Sequence, residues 1–378
     1  MLANSWALLE TAAVMSRIGL PTFEVGCSSP GSVLRFLHFA RWLHIPHIEW
    51  MRLRRVSAQM PGWSRRGRGK GFEYRDENNE LLSGEQRQRC IDLVIPPAWK
   101  HVWICPLPNG HLQATGIDDF GRRQYIYHPM WRQQREREKF DHTLAIARHL
   151  PRARRAVRQA MDARGVSKDR ALAVAFTLLD FGLFRIGSPQ YEELHGSYGL
   201  STILVRQLSF TKDGARFSFM GKSKMTQKIY IDDDELVRAL RAFARGRQSS
   251  ERLLHYQTGG VEHHLDANEV NTYIHDLLGA EATAKDFRTW HATVFAACGL
   301  ALRPESSRTK REQAVREVVK ETAEILGNTP AIAKSSYIDP RISDEYLHGN
   351  TIELGQKKMP AGPPFSASIE AAVLDFLS

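Results

Sequence analysis

The 378-residue sequence predicts an α+β protein, with a small β-rich N-terminal domain before a larger, mainly helical domain. Before residue 128, turn signals such as Asn78-Asn79 and Pro108-Asn109-Gly110 separate short β-prone stretches. After residue 150, apolar patterns of helical period dominate and are interrupted by one alternating stretch at residues 202–231. We divide the chain into an N-terminal extension of unknown role (1–61), the β-rich domain (62–150), the helical domain (151–354), and a linker with a short C-terminal helix (355–378).

In the first domain, the glycine-rich run at residues 67–71 predicts a flexible basic entry segment. The β-prone stretches are His101–Cys105 and Gln124–Tyr127. Pro129 is expected to open a polar, arginine-rich helix that ends at Leu150, because Pro151 follows. This helix end is our reason for placing the domain boundary near residue 150.

In the second domain, Ala171–Phe184 predicts an apolar helix with Arg185 at its C-terminal end. The alternating stretch that follows predicts a three-stranded meander. Lys222 and Lys224 then lie in the hairpin loop Gly221–Gln227, where a long side chain can swing. Further helices are expected at residues 234–245, 267–278, 284–300, 306–326, from 330 onward, and near the C-terminus, where Ile369, Val373 and Leu377 share one face.

Two local signals place further polar residues. Thr283 and Asp286 form a plausible capping box, which puts Arg288 near the start of an apolar helix. Gly327 is a helix stop, and Thr329-Pro330 opens the next helix. Asn328 therefore lies at a junction between two helices, with Tyr337 about two turns beyond it.

Composition limits the classes of function. A net charge of +10 favours a polyanionic partner, although a solvated basic surface is the plainer alternative. The four cysteines are scattered, which indicates neither a zinc site nor a disulfide framework and favours a reducing compartment. We find neither an apolar run of about eighteen residues nor a basic secretory leader, so we expect a cytoplasmic protein that does not span a membrane.

Five residues form a candidate site for phosphodiester chemistry: Arg185, Lys222, Arg288, Asn328 and Tyr337. Four are donors that can hold a phosphate, and the tyrosine is an oxygen nucleophile. This chemistry calls for no metal or other cofactor. Each residue also has an ordinary explanation, since an arginine beside an apolar helix can pair with a buried carboxylate instead of a bound anion. Tyr337 can be a packing residue, and Tyr198 and Tyr346 are chemical rivals; His291 is either a phosphate donor or structural.

The local motifs resemble those of a known family. They are RIGSPQY at 185–191, GKSK at 221–224, KDFRTWH at 285–291 and LGNTPAIAKSSY at 326–337, with IPPAW at 95–99 and GIDDFGRRQYIY at 116–127 upstream. Together they resemble the type IB DNA topoisomerases of the poxvirus-like bacterial branch over roughly residues 62–350.

The resemblance implies catalytic roles for Arg185, Lys222, Arg288 and Tyr337, with Tyr337 as the nucleophile and Lys222 as the general acid. Lys224 is the alternative acid and otherwise a DNA-binding residue. Asn328 stands where the poxvirus enzymes have a histidine, and its amide can still donate to a phosphate.

The resemblance also implies DNA contacts by Gln124, Tyr125 and Tyr127, and by Gly187 and Tyr191 beside Arg185. The alternative for the two strand tyrosines is a place in the core. The expected protein is a monomer that clamps duplex DNA, preferably supercoiled, in association with the nucleoid. It would relax the DNA through a 3′-phosphotyrosyl link without ATP or a metal.

Two other functions fit part of the pattern. A tyrosine recombinase or integrase shares the Arg/Lys/Arg/Tyr chemistry, but it would be expected to have a histidine where Lys285 stands. A basic DNA-binding protein without chemistry would keep its affinity and show no activity that depends on Tyr337.

Overall fold

The computed structural model describes residues 52–69, 71–279, 281–355, 359, 362–363 and 365–378. The chain folds as two compact units, residues 1–132 and residues 133–378, and each is described by itself. Most of the predicted N-terminal extension, residues 1–51, lies outside the described residues. No helix in the described ranges is long and apolar enough to cross a membrane.

The N-terminal unit is built on a five-stranded antiparallel sheet with the strand order β2-β1-β3-β4-β5. Its elements are β1 (Trp63–Arg68), β2 (Gly71–Arg75), α1 (Gly84–Asp92), β3 (Lys100–Ile104), β4 (Leu112–Ile117) and β5 (Arg123–Tyr127). Trp63, Tyr74, Cys90 and Ile104 are buried in its core. The β-rich character expected for this region is confirmed.

Two details of this unit differ from the sequence predictions. Gly67, Arg68 and Gly71 are not part of a flexible entry, because Gly67 and Arg68 belong to β1 and pair with Phe72 and Gly71 of β2. Helix α1 was not predicted, since turn signals dominate around it. Just before β1, Arg54 forms a parallel bridge with Gly110, so residues 52–61 also pack on this unit.

Helix α2 (Pro129–Met161) is longer than predicted. The expected end at Leu150 is wrong, because the helix continues through Pro151. A proline removes one backbone donor, but Leu150, Ala153 and Val157 around it are all buried, and this packing holds the helix together. The boundary proposed near residue 150 therefore lies inside α2, and the second unit begins at residue 133.

The second unit is mainly helical. Its elements after α2 are α3 (Lys168–Gly182), α4 (Pro189–His195), β6 (Leu208–Phe210), β7 (Ala215–Met220), β8 (Thr226–Ile231), α5 (Asp234–Ala244), β9 (His255–Thr258), β10 (Val261–His264), α6 (Ala267–Leu278), α7 (Ala284–Ala301), α8 (Arg308–Leu326), α9 (Pro330–Ser336), α10 (Pro340–His348) and α11 (Ala367–Leu377). The α+β class is thus confirmed. The β9–β10 hairpin was not predicted.

The meander β6-β7-β8 is confirmed as a three-stranded antiparallel sheet. Along β7, buried Ala215, Phe217 and Phe219 alternate with exposed residues, as a sheet with one covered face requires. Phe184, just past α3, contacts both phenylalanines with ring centroids 5.0 and 5.6 Å apart. The sheet is therefore fixed against the end of the helix that precedes Arg185.

Helix α7 runs through the core, and its residues 286–300 are buried. Its start follows the predicted capping pattern, since the Asp286 carboxylate accepts from both the backbone N–H and the hydroxyl of Thr283 at 2.8 Å. The predicted C-terminal helix is present as α11, and Ile369, Val373 and Leu377 are buried against the same core.

Candidate active site

Arg288 lies on α7 and is almost fully buried, with 3% of its surface exposed. Its guanidinium donates one hydrogen bond to the carbonyl of Leu183, just past α3, and another to the carbonyl of Leu326 at 2.6 Å, where α8 ends. A carbonyl at a helix C-terminus carries partial negative charge and has no partner within the helix. Arg288 therefore holds the ends of two helices to a third.

Arg185 follows α3 and, like Arg288, contacts the C-terminal end of α8. It donates to the carbonyl of Gly327 at 3.0 Å and to the side-chain oxygen of Asn328. Gly327 ends α8 with a φ of 58°, and a Cβ there would come within 2.6 Å of the Gln227 side chain. Glycine is thus favoured by the backbone conformation, and the Gln227 side chain of β8 packs close to it.

Neither arginine has a carboxylate partner within ion-pair distance in the described part of the chain; both donate to neutral oxygens. Burial and, to a smaller extent, the charge of Arg185 together lower the pKa of Arg288 to about 10. Burial also lowers the pKa of Arg185. A buried cation beside a half-buried one is unfavourable without an acid, so the arrangement favours a bound anion over the buried carboxylate considered from sequence.

Tyr337 directly follows α9 and lies against Arg288, whose guanidinium carbon is 5.3 Å from the centre of the phenol ring. Its backbone carbonyl accepts from the Thr293 hydroxyl at 3.3 Å. Burial by itself raises the pKa of Tyr337, but Arg288, through its charge and a hydrogen bond, lowers it below the ordinary value, with help from Arg185. The surroundings therefore favour the phenolate, which is the nucleophilic form.

Two donors in this group are buried and have no partner in the described structure: Nε of Arg288 and the amide Nδ2 of Asn328. The Asn328 oxygen accepts from Arg185, which fixes the amide so that its nitrogen is the free end. Buried donors normally have partners. We call Arg185, Arg288, Asn328 and Tyr337 the arginine pocket.

The predicted general acids occupy the segment Gly221–Gln227, which we call the lysine loop. Lys222 and Lys224 lie in a short 3₁₀ turn there, and both are exposed. Neither ammonium has a hydrogen bond or ion pair among the described residues. The loop is closed at its base by a hydrogen bond of 2.9 Å from the Gly221 N–H to the Met225 carbonyl.

The base of the lysine loop touches the arginine pocket although the two lysines do not. Gln227 lies against Gly327, whose carbonyl accepts from Arg185. The structure therefore brings together four of the five predicted catalytic residues and leaves Lys222 exposed on an adjacent loop.

Lys139 is a nearby residue that the sequence analysis did not single out. Its ammonium donates to the carbonyl of Ser336, the residue before Tyr337, at 3.1 Å. Burial lowers the pKa of Lys139 to about 8, and the neighbouring charge of Lys285 contributes. In the sequence it was one of several basic residues on the α2 face, and no spacing marked it as different.

The rivals considered from sequence have other roles. Tyr346 is buried, donates to the carbonyl of Arg303, and has its pKa raised by burial. Tyr198 is half-buried, and its hydroxyl accepts from Arg206 at 3.4 Å. His291 is buried and bonded to Asp180 at 2.8 Å, which identifies it as structural.

The segment after Arg185 is held by close backbone packing. Gly187 has a φ of 78°, and a Cβ there would lie 2.8 Å from the Cα of Gly199. The carbonyl of Arg185 accepts from the Leu200 N–H at 2.9 Å. Tyr191 belongs to α4, but its side chain is outside the described part of the structure.

In the N-terminal unit, Tyr125 and Tyr127 are exposed on one face of β5, with stacked rings 6.0 Å apart. The alternative that they are core residues is therefore wrong, and Ile126 packs against the core instead. Gln124 is half-buried, and its amide donates to Asp118 at 2.8 Å. Two exposed phenols form a surface suited to phosphate and sugar contacts.

Comparisons with known proteins agree with this geometry. Residues 128–348 match the family model described as eukaryotic DNA topoisomerase I, catalytic core, and residues 71–118 match bacterial DNA topoisomerase IB, N-terminal domain. The first match covers more than half of the chain and contains the whole arginine pocket and the lysine loop.

Individual relatives carry corresponding names. The DNA topoisomerase 1B of Acanthamoeba polyphaga mimivirus is 28% identical over 274 residues, which is 70% of this chain and 81% of the relative. The DNA topoisomerase 1B of vaccinia virus (strain Copenhagen) is 21% identical over 64% of this chain and 75% of the relative. The DNA topoisomerase 1 of Daucus carota is 24% identical over 53% of this chain and 25% of the relative. The chain therefore belongs to the type IB DNA topoisomerases, and the predicted resemblance is confirmed.

Proposed function

We propose that the protein relaxes supercoiled duplex DNA by cutting one strand, holding it through a 3′-phosphotyrosyl bond, letting the other end swivel, and resealing. The observation that supports this most is the pair of guanidinium groups beside Tyr337, Arg288 buried and Arg185 half-buried, without a described carboxylate partner. We also propose that it acts as a monomer on nucleoid DNA in the cytoplasm.

In the cleavage step, the Tyr337 oxygen attacks phosphorus and its phenol proton passes to solvent water. Negative charge grows on the two non-bridging oxygens. Arg185, Arg288 and Asn328 supply donors where that charge develops, and their geometry is set before DNA binds. Removing one donor of this kind typically slows a reaction by roughly 10²- to 10³-fold.

The bond to the 5′ oxygen breaks as the new bond forms. This alkoxide is a poor leaving group unless a proton reaches it in the transition state. Lys222 is our choice for the donor, with Lys224 as the alternative, because the lysine loop adjoins the pocket through Gln227 and Gly327. Closure of the loop over bound DNA would bring an ammonium to the scissile phosphate.

Resealing reverses these steps. The 5′ hydroxyl attacks phosphorus and gives its proton to a lysine, and Tyr337 leaves and takes up a proton from solvent water. One phosphodiester is exchanged for another of similar energy, so we expect neither ATP nor a metal to be required. Tyr125 and Tyr127 are proposed to contact the DNA backbone, and Gln124 a base edge.

The test uses supercoiled plasmid with the purified full-length protein, EDTA and no nucleotide. We expect relaxation, and a protein–DNA adduct when the reaction is stopped with detergent. Tyr337→Phe removes one hydroxyl and should bind DNA normally but form no adduct. Tyr198→Phe is the matched control, since it removes an equivalent hydroxyl outside the arginine pocket, and it should relax plasmid at the wild-type rate.

An absolute requirement for ATP or magnesium would overturn the mechanism. An adduct formed by Tyr337→Phe would overturn the assignment of the nucleophile.

A further inference from the structure

A second cluster of ionisable side chains lies on elements that also carry the arginine pocket, and it includes one residue of the C-terminal helix α11. It consists of Arg154 on α2, Asp180 on α3, His291 on α7 and Glu370 on α11. Asp180, His291 and Glu370 are exposed by 1%, 1% and 4% of their surfaces. Carboxylates this deeply buried occur almost only when they are fully paired.

Arg154 connects the two carboxylates. It donates to Asp180 at 2.7 and 3.0 Å and to Glu370 at 2.6 and 2.9 Å, so both contacts are bidentate. Burial favours a neutral Asp180, but the charge of Arg154 and the hydrogen bond from His291 hold its pKa below the ordinary value. The group is a hydrogen-bonded ionic network in which Nδ1 of His291, 4.0 Å from Glu370, has no hydrogen bond among the described residues. Its bidentate, charge-assisted contacts restrict the geometry of the helices that carry them.

Helix α7 enters the network at two consecutive residues. The indole N–H of Trp290 donates to Glu370 at 3.3 Å, and His291 bonds to Asp180 at 2.8 Å. Arg288 lies only two and three residues earlier on the same helix. Any rotation or sliding of α7 that moved Arg288 would stretch both contacts.

The network also reaches the partner of Arg288. Asp180 is in the last turn of α3, three residues before Leu183, whose carbonyl accepts from Arg288. The network thus fixes the helix that carries Arg288 and the helix end that Arg288 binds. Glu370 is the member that comes from outside the region matched by the topoisomerase family model, which ends at residue 348.

We propose that Glu370 is a positioning residue for DNA cleavage that acts through Arg288, and that α11 thereby helps to hold the active site in place. This inference rests on the proposed function, since it requires Arg288 to act on the scissile phosphate. Glu370 would keep α7 and the end of α3 in the register at which the Arg288 guanidinium spans its two carbonyls.

The competing explanation is that α11 only completes the apolar core. Ile369, Val373 and Leu377 are buried on the same helix, so removing any of them should lower stability. A purely structural helix would affect activity only through the folded fraction of the protein. The two explanations predict different results for substitutions on the polar and apolar positions of α11.

The experiment compares Glu370→Gln with Val373→Ala in the full-length protein. Glu370→Gln keeps the size of the side chain and removes its charge, whereas Val373→Ala creates a small cavity. Three quantities are measured: thermal midpoint, DNA dissociation constant, and the single-turnover rate of adduct formation at saturating DNA, below the melting temperature of each variant.

We expect Glu370→Gln to slow adduct formation roughly tenfold with little change in the DNA dissociation constant, because small misplacements of catalytic groups cost rate more than binding. Val373→Ala should keep the wild-type rate of adduct formation even if its thermal midpoint falls as far as that of Glu370→Gln. Equal rates for Glu370→Gln and wild type, or equal slowing by both variants, would overturn the proposal.

A double-variant test shows whether Glu370 acts through Arg288. Glu370→Gln should give no further slowing in an Arg288→Ala background, because the group it positions is already gone. Full additional slowing there would contradict the proposal. Should Glu370→Gln fail to fold, Trp290→Phe takes its place, because it removes the indole donor to Glu370 and keeps an aromatic ring. Trp290→Phe should slow adduct formation in the otherwise wild-type protein and give no further slowing in the Arg288→Ala background.

The result also separates this inference from the proposed function. If wild-type protein forms no adduct, the proposed function fails. If wild type forms the adduct and Glu370→Gln matches it, only the role of Glu370 fails.

Discussion

The arginine pocket and the lysine loop lie side by side and differ in how completely the fold determines them. Arg288 is buried and bonded to two helix ends, and Arg185 is bonded to Gly327 and Asn328. Lys222 and Lys224 are exposed, with neither ammonium bonded among the described residues. We propose that the arginine pocket has its geometry before DNA binds and that the lysine loop acquires its geometry on binding.

The difference corresponds to what each region must do. Groups that stabilise charge in a transition state work best when they need no reorganisation, so they are fixed by backbone carbonyls. A proton donor must approach the leaving oxygen after the DNA is seated, and then withdraw while the strand swivels. A loop anchored at its base and free at its tip is suited to that movement.

The largest effect on the rate of cleavage should come from substitutions in the arginine pocket. Arg288→Ala removes a charge that the fold holds in place, and adduct formation at saturating DNA should slow by about 10²- to 10³-fold. Arg288→Lys should recover only part of this loss, because a lysine cannot span two carbonyls and a phosphate with one planar group. Single-turnover rates of both variants check this, and a wild-type rate in Arg288→Ala would refute the role of the pocket.

The pH dependence of cleavage sharpens the comparison further. Arg288 lowers the pKa of Tyr337. The wild-type rate of adduct formation should therefore rise with pH and level off at a pH below the ordinary pKa of tyrosine. In Arg288→Ala this rise should move to higher pH, because the cation that favours the phenolate is lost. Arg185→Ala should move it in the same direction but less. A shift to lower pH in either variant would contradict the electrostatic account.

A smaller effect is expected at Lys139, which supports the pocket from outside. Lys139→Met keeps much of the side-chain stem and removes the hydrogen bond to Ser336. A bond worth about 1 kcal/mol corresponds to slowing of roughly fivefold. Arg137→Met, on the exposed part of the same helix, is the control and should cleave at the wild-type rate. Equal rates for the two variants would show that Lys139 does not position Tyr337.

The smallest effect on chemistry should come from the exposed arginines of α2. Changing Arg132, Arg135 and Arg137 together to Ala should weaken DNA binding. The slope of log affinity against log salt concentration should become shallower by about 0.9 for each phosphate that the protein no longer neutralises. The rate of adduct formation at saturating DNA should change little. An unchanged slope in a plot of log affinity against log salt would mean that this face does not meet DNA.

Much of the pocket was predictable because its parts follow local rules. The Thr283–Asp286 capping pair and the Gly327 stop fixed the helix boundaries next to Arg288 and Asn328. The alternation along β7 fixed the position of the lysine loop. Such signals depend on a few neighbouring residues and need no knowledge of the tertiary fold.

What the sequence did not show depends on long-range contacts. Pro151 lies inside α2 because buried neighbours outweigh one lost backbone bond. Lys139 and Ser336 are 197 residues apart in sequence, and Arg154 and Glu370 are 216 apart. The lack of a carboxylate partner for the two pocket arginines, among the residues that the structure describes, is equally a property of the folded chain. This lack favours an anion site over a structural ion pair.

The most direct test of the contrast between pocket and loop replaces the 5′ bridging oxygen of the scissile phosphate with sulfur. A thiolate leaves without protonation, so only the general acid becomes unnecessary. Lys222→Ala should be severely slow on ordinary DNA and nearly restored on the sulfur-containing DNA, whereas Arg288→Ala should stay slow on both. Rescue of Lys224→Ala instead would transfer the acid role to Lys224. Rescue of Arg288→Ala, or of neither lysine variant, would contradict the division of roles proposed for the two regions.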